Sequence, residues 1–376
     1  MNVLVKPGSV PPNASSRKLF SVLDDNGLAD PETDPKLELS LVRRMYESML
    51  RTRLIDARLM KLQRQGRIGF HVGCEGEEAA IIASAAALRE QDWIFPCYRE
   101  VSAALYRGFP LQSYVDNMFG NANDLAKGRQ MPDHVTARQV HFGSITAPIG
   151  TQITQAVGFA WAAKIKKQDV VTASYFGDGA TSSNDFHAGM NFAGVFQLPT
   201  LFLLRNNGWA ISIPSDHQTH SRTYAEKGPG YGMPGVRCDG NDALAVYATT
   251  QEAVKRAANG GGPTLVELVA YRVGPHSSSD DPSAYREAQE TEEAQKHDGV
   301  KRLRRYLERQ NAWSDAEQTA FEERATAELN ACIEKAEAAP PPSIASMFEE
   351  VFEHMPQHLL EQQAECVNGP RHRKRH

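Results

Sequence analysis

The stretch VVTASYFGDGATSSNDFHAGMNFAGVFQLPTLFLLRNN, residues 170–207, decides the fold. Its first part, 170–176, is a short apolar run closed by Gly177, too short for a helix and apolar on successive rather than alternate positions. Such a run reads as a strand covered on both faces. Residues 184–196 place apolar side chains at helical spacing, and 200–205 form a second apolar run. A strand, a helix and a strand in this order make a parallel pair joined by a crossover. Working outward, 153–164 reads as a helix before the first strand. Residues 243–258 read as a helix stopped by Gly260, Gly261 and Gly262, and 264–272 (TLVELVAYR) as a third strand. Upstream, the apolar spacing of Val42, Met45, Tyr46 and Met49 predicts a helix from Leu39 to the stop at Gly66. An Ala-rich buried helix over 76–88, a short strand over 92–96 and helices over 100–107 and 111–119 follow. The expected class is α/β, a mostly parallel sheet with helices on both faces and a C-terminal helical extension. In such sheets ligands bind at the carboxyl ends of the strands, so the loops after Phe176, Arg205 and Arg272 are where chemistry is expected.

The ends differ in character from this middle. Residues 1–38 carry Pro7, Pro11, Pro12, Pro31 and Pro35 among polar residues and show no apolar period, which reads as an extended arm. The α/β domain then spans 39–290, a helical extension 291–362 and a basic tail 363–376. In the extension, Ser346 with Glu349 matches a capping box opening an amphipathic helix that carries Phe348, Val351, Phe352 and Met355. Its apolar stripe is open to two readings, core packing or docking on a second subunit. The net charge of −5 over 376 residues offers no broad basic surface for nucleic acid, and no run reaches the roughly 18 apolar residues of a membrane span. Five cysteines without a C-x-x-C pair read as free thiols of a reducing compartment. The expectation is a soluble, cytoplasmic protein.

The chemistry-bearing motif lies within the opening stretch. Gly177-Asp178-Gly179 stands at the end of one strand and Asn206-Asn207 at the end of the next. The glycines allow a turn to approach a diphosphate closely, and the following helical turn offers free N–H groups to the same anion. Asp178 and an asparagine supply hard oxygens suited to Mg²⁺, which commonly shares one or two protein ligands with substrate phosphates. A GDG tripeptide alone is often just a turn. Paired with NN at this spacing it resembles the cofactor anchor of thiamine-diphosphate enzymes.

More closely, GDGATSSNDFHAGMNFAGVFQLPTLFLLRNNGWAISIP (177–214) resembles the α subunit of the 2-oxo acid dehydrogenase decarboxylases, and the likeness extends over about 40–362. The resemblance implies thiamine diphosphate and Mg²⁺. It implies Asp178, Asn207 and the backbone carbonyl of Trp209 as metal ligands, and Tyr98, Arg99, Ile149, Gly179, Ala180, Arg205 and His276 around the cofactor. Arg99 and Arg205 would meet the diphosphate with planar donors. His276, in YRVGPHSSSDD (271–281), would be the catalytic polar group, able to hold or move a proton. Thr146, Pro148, Thr151 and Gln152 resemble a loop that holds potassium, with Ala147 departing from a serine; a plain turn is an equal reading.

KGRQMP (127–132) and HSSSDD (276–281) look like the branched-chain members, whereas His71 stands where those relatives tend to have a tyrosine near the substrate. Ser277 occupies the position of a serine phosphorylated in mitochondrial relatives, and a second such serine falls on Glu287. The implied activity is oxidative decarboxylation of a 2-oxo acid, of the 2-oxoisovalerate type, with acyl transfer to a lipoyl group. A pyruvate or acetoin substrate is the alternative, and a non-catalytic structural subunit is the alternative of another class. The family's activating glutamate has no clear counterpart here. The chain is therefore expected to need a β subunit in an α₂β₂ heterotetramer, with a dihydrolipoyl acyltransferase core as further partner.

Overall fold

The computed structural model describes residues 18–370. Five parallel strands form one sheet in the order β1-β2-β3-β7-β6: β1 (Trp93–Phe95), β2 (Thr172–Gly177), β3 (Thr200–Asn206), β6 (Gly235–Asp239) and β7 (Thr264–Val269). The two short strands β4 (Trp209–Ala210) and β5 (Ile213–Pro214) pair antiparallel just beyond β3. The α/β class expected from the sequence is thus observed. The opening stretch gives β2, β3 and the helix between them.

Burial on both faces explains the unbroken apolar runs. On β3, Leu201 and Leu203 enter one core while Phe202 and Leu204 enter the other, and all four are fully buried. The smaller core is closed by α5 (Thr151–Ile165) and α6 (Asn184–Phe196), which contribute Ile153, Val157, Phe186 and Met190. The larger is closed by α1 (Leu39–Arg64), α2 (Glu78–Ala87), α3 (Val101–Tyr106), α4 (Leu111–Phe119) and α8 (Ala243–Ala258). The helix α2 is small and apolar on every side, as a helix surrounded by protein must be, and its Ser84 hydroxyl meets that of Tyr175 on β2 at 2.9 Å. A short helix α7 (Lys227–Gly230) leads into β6. Beyond β7 come α9 (Ala288–Ala294), α10 (Gly299–Arg309), α11 (Asp315–Ala338) and α12 (Gln357–Asn368). Among the described residues no helix is long and apolar enough to cross a membrane.

Three regions depart from the sequence reading. Residues 18–38 are extended but docked. Phe20 bridges to Cys238 on the edge strand β6, and Phe20, Val22 and Leu23 are buried. One carboxylate fastens this segment: Asp242 Oδ1 caps α8 through the N–H groups of Leu244 and Ala245, while Oδ2 accepts those of Val22 and Leu23, each at 2.6 Å. A tie of this kind leaves no periodic signature. Residues 1–17 lie outside the described residues.

The helix expected from Ser346 does not form. Ser343 caps that turn instead, accepting the N–H of Ser346, and only a single 3₁₀ turn, Ala345–Met347, results. Glu350 is drawn into ion pairs with Lys127 and Arg129, which leaves Phe348 buried but Val351 and Phe352 exposed. Finally, 363–368 belongs to α12, so the helical extension runs past 362 and only the end of the basic tail, 371–376, falls outside the described residues. All five cysteines are free thiols.

Candidate functional site

A cavity of about 380 Å³ opens at the carboxyl ends of β1, β2, β3 and β7. Each wall comes from the loop after a strand or before a helix. The turn after β1 contributes Cys97, Tyr98 and Arg99, and the loop before α5 contributes Ala147 and Ile149. The turn after β2 brings Asp178, Gly179 and Ala180. The end of β3 and the β4 segment bring Arg205, Asn207 and Trp209, and the loop after β7 brings Arg272 and His276. Every residue expected around a cofactor or Mg²⁺ therefore lines one cavity. Thr146, Pro148, Thr151 and Gln152, beside Ala147 and Ile149 in the chain, do not line it. Thr146 donates its hydroxyl to the Pro148 carbonyl, and Gln152 its amide to the Tyr175 carbonyl.

The floor is a buried charge cluster that the sequence reading missed. Glu77, fully buried at the start of α2, accepts hydrogen bonds from Arg205 Nη1 and from Asn207 Nδ2 (3.0 Å), and lies 3.8 Å from Arg99 Nε. Arg205 Nη2 pairs with a second buried carboxylate, Glu100. Burial alone would push the Glu77 carboxyl up, but Arg205 and Arg99 outweigh it and hold the group below its ordinary range. Glu100, whose one direct partner among the described residues is Arg205, is pushed up by burial. Arg205, expected to face a diphosphate with a free fork, thus has both terminal nitrogens engaged by carboxylates. The signal for Glu77 was a carboxylate at the mouth of an otherwise apolar helix, where an unpaired charge would be costly.

Arg272, present in the loop motif but not singled out, is buried and donates to the carbonyls of Trp209 (3.1 Å) and Ile211 (2.7 Å) and to the Tyr285 hydroxyl. It therefore fixes the β4 segment over the cavity. Arg99 donates to the Gly73 carbonyl, to the His276 carbonyl (2.7 Å) and to His276 Nδ1 (3.0 Å). A guanidinium has no lone pair to offer, so Nδ1 must be the acceptor and the imidazole proton sits on Nε2. Burial, then the charges of Arg99 and Arg272, push His276 down to about 4. At neutral pH it is a neutral donor through Nε2–H.

Asp178 is buried and has no ion-pair partner among the described residues; its hydrogen bonds come from Gln218 Nε2 (2.6 Å) and weakly from Ser215. Burial raises its pKa. A buried carboxylate without a cation lines the same cavity as Asn207, whose amide oxygen accepts the Trp209 N–H (3.1 Å), and as Trp209, whose carbonyl is the third oxygen; this all-oxygen set with a single charge fits Mg²⁺ shared with phosphates. It does not fit zinc, and no group of three or more His, Cys, Asp or Glu able to hold a metal occurs among the described residues. Gly179 is required by space, since a Cβ there would stand 2.8 Å from that of Ala210.

Formally, the three guanidiniums of Arg99, Arg205 and Arg272 are balanced by Glu77, Glu100 and Asp178. A diphosphate entering this cavity would add negative charge to a formally neutral site.

Fold and cavity together define a class: an α/β chain with a charged cavity at the carboxyl ends of its parallel strands. The dehydrogenase E1 component family model matches residues 46–345. The human mitochondrial 2-oxoisovalerate dehydrogenase subunit alpha is 42% identical over 357 residues, covering 94% of this chain and 80% of the human one. The alpha 1 subunit of Arabidopsis thaliana is 40% identical over 357 residues (94% and 75%), and that of Dictyostelium discoideum 41% over 351 (93% and 80%). The chain belongs to the dehydrogenase E1 component family.

Proposed function

We propose that this chain is the α subunit of a branched-chain 2-oxo acid dehydrogenase, which decarboxylates acids of the 2-oxoisovalerate type and passes the acyl group to a lipoyl arm. The observation that carries the reading is the single cavity in which Tyr98, Arg99, Asp178, Gly179, Asn207 and His276 converge, in a chain of this family. Family membership implies thiamine diphosphate, which when bound supplies the electron sink for loss of CO₂. Asp178, Asn207 and the Trp209 carbonyl would hold Mg²⁺, and the N–H groups of the turn at 178–180 would meet the diphosphate. Arg99 and His276 Nε2–H would donate to ligand oxygens from the opposite wall. The four residues 146, 148, 151 and 152 would hold potassium, and a KCl-specific rise in Tm over NaCl tests that assignment.

The charge inventory also supports a second subunit. Asp178 is the one carboxylate lining the cavity among the described residues, because Glu77 and Glu100 are engaged by Arg205 below it. With Asp178 assigned to the metal, no acid remains to activate a bound ligand. An α₂β₂ assembly with the β chain closing the cavity supplies one, and an acyltransferase core receives the product. The compartment, cytoplasmic on composition and mitochondrial in the names of the relatives, is decided by fractionation.

The test is reconstitution with a β-type subunit and a panel of 2-oxo acids. Branched substrates should turn over fastest, and the chain alone should be inactive. Full activity of the lone chain would sink the two-chain reading, and preference for pyruvate the substrate class. Asp178→Ala should abolish Mg²⁺-dependent thiamine diphosphate binding in calorimetry while the fold persists.

A further inference from the structure

His71 lies outside the cavity yet is built into its support. The residue is fully buried. Its Nδ1 stands 3.2 Å from Asp133 Oδ2, and its Nε2 is 3.4 Å from Asp56 Oδ1, a contact of charge rather than an aligned hydrogen bond. Both aspartates are themselves fixed. Asp133 accepts from the Tyr114 hydroxyl (2.6 Å) and the Val72 N–H (2.7 Å), and Asp56 from the Cys74 N–H (2.7 Å). The segment 71–76 is thereby tied to α1, to α4 and to the loop bearing Asp133.

The histidine loop hangs on this segment. Ser278 N–H donates to the His71 carbonyl (2.9 Å) and Ser278 Oγ accepts the His71 N–H (3.1 Å). Val273 N–H donates to the Glu75 carbonyl (3.0 Å), and Arg99 donates to the Gly73 carbonyl. Gly76, at φ +88°, passes so close to the Tyr271 carbonyl that no side chain fits there. Arg99 and His276, which line the cavity, are thus tied, directly or through Ser278, to a segment that does not itself line it.

We infer that His71 is a positioning residue: a buried imidazolium, clamped between Asp56 and Asp133, that fixes segment 71–76 and through it holds Arg99 and the 271–278 loop in register. A neutral ring would leave both aspartates without its counter-charge and one of them facing a lone pair instead of a donor, and an unpaired buried carboxylate drives the segment to open. The inference uses the reading of the cavity as a cofactor site only for its functional consequence; the packing stands without it.

Burial opposes the charge on His71, but Asp133 and then Asp56 push it up to about 10. A raised histidine contributes stability that is complete below its unfolded pKa of roughly 6.5 and is lost as pH rises through the folded value. Tyr114 and Cys74, on the same side, are held protonated well above their ordinary values by burial. His71 and Asp56 also line a second cavity, of about 310 Å³, where the charged groups facing them are Arg53, Lys61, Arg64 and Glu75.

The test is amide hydrogen exchange on the full chain without cofactor, read by mass spectrometry and normalised to intrinsic rates at each pH. Peptides covering 71–76 and 274–280 should be protected at pH 7.5 and lose at least tenfold in protection by pH 10.5, while peptides of β3 and β7 keep theirs. His71→Gln should show the weakened pattern already at pH 7.5. Asp133→Asn should move the midpoint of the loss to lower pH, since it removes the stronger of the two attractions.

Unchanged protection in the wild type across this range would overturn the inference, even if neither variant folds. So would a loss spread evenly over the sheet, or a midpoint that Asp133→Asn does not move. Because no cofactor is present, these outcomes are independent of Asp178→Ala, whose result bears on the cofactor reading alone.

Discussion

Replacing Glu77 by glutamine tests the buried charge cluster directly. The substitution keeps shape and one acceptor oxygen but removes the charge that faces Arg205, Asn207 and Arg99. Arg205, itself buried, is left with Glu100 as its one anionic partner among the described residues. Breaking one arm of a buried ion pair costs about 3–5 kcal/mol. With an unfolding entropy of about 2.1 cal/mol/K per residue, a chain of roughly 350 ordered residues responds to that loss with a Tm lowered by about 4–7 °C. The cavity also changes sign, from neutral to one positive charge in excess. Inorganic pyrophosphate should therefore raise the Tm of E77Q without Mg²⁺, whereas the wild type should require the cation. Scanning calorimetry with pyrophosphate and Mg²⁺ added separately and together measures both effects. A Tm within about 1 °C of wild type, or an identical response of the two proteins to pyrophosphate alone, would refute the reasoning.

Gly179→Ala places a Cβ against Ala210 and should weaken cofactor binding at least tenfold in calorimetry, whereas Gly177→Ala, which meets no atom within 4 Å, should not. Overpacking at such a contact costs about 1–3 kcal/mol, so G179A should still fold. His276 should show no titration by NMR between pH 5 and 8. Its folded pKa of about 4 lies below the unfolded value of roughly 6.5, so the stability of the chain should fall as pH drops through that interval. A midpoint near 6.5 would reject the Arg99 contact that sets the tautomer. Burial pushes the Cys97 thiol up to about 12, so iodoacetamide should label the exposed Cys366 in the native protein and reach Cys97 only after unfolding.

The sequence carried the sheet well where burial was two-sided. β2, β3 and β7 announced themselves because both faces of each strand meet apolar helices, and a helix between two such runs leaves little choice of topology. The strand β6 was not seen. It is an edge strand, GVRCD, with Arg237 and Asp239 alternating among the apolar positions, and it is completed by Phe20 from far away in the chain. The cavity lining was legible because glycine, aspartate and paired asparagines at strand ends have few other uses.

The partners of Glu77 and of His71 were not legible, for the same physical reason. Each is a charge stabilised by partners distant in sequence, and from composition alone a carboxylate beside a helix or a lone histidine reads as a solvated side chain. KGRQMP, which with HSSSDD carried the substrate reading by resemblance, does not itself reach the cavity, because Lys127 and Arg129 hold Glu350 instead. Any influence of that segment on selectivity is therefore indirect.

The Asp242 tie has a consequence for how the chain is made. Val22 and its acceptor are 220 residues apart. At the ribosome's pace of roughly 5–20 residues per second, the amino-terminal segment emerges about 10–40 s before the carboxylate that receives it. Through that interval the N–H groups of Val22 and Leu23 lack the acceptor that Asp242 Oδ2 later provides, and Phe20 lacks its partner strand β6. The edge of the sheet is thus among the last parts of the α/β unit that can be sealed during synthesis, and slowing translation between residues 40 and 240 should lengthen the exposure of that apolar segment to chaperones and proteases.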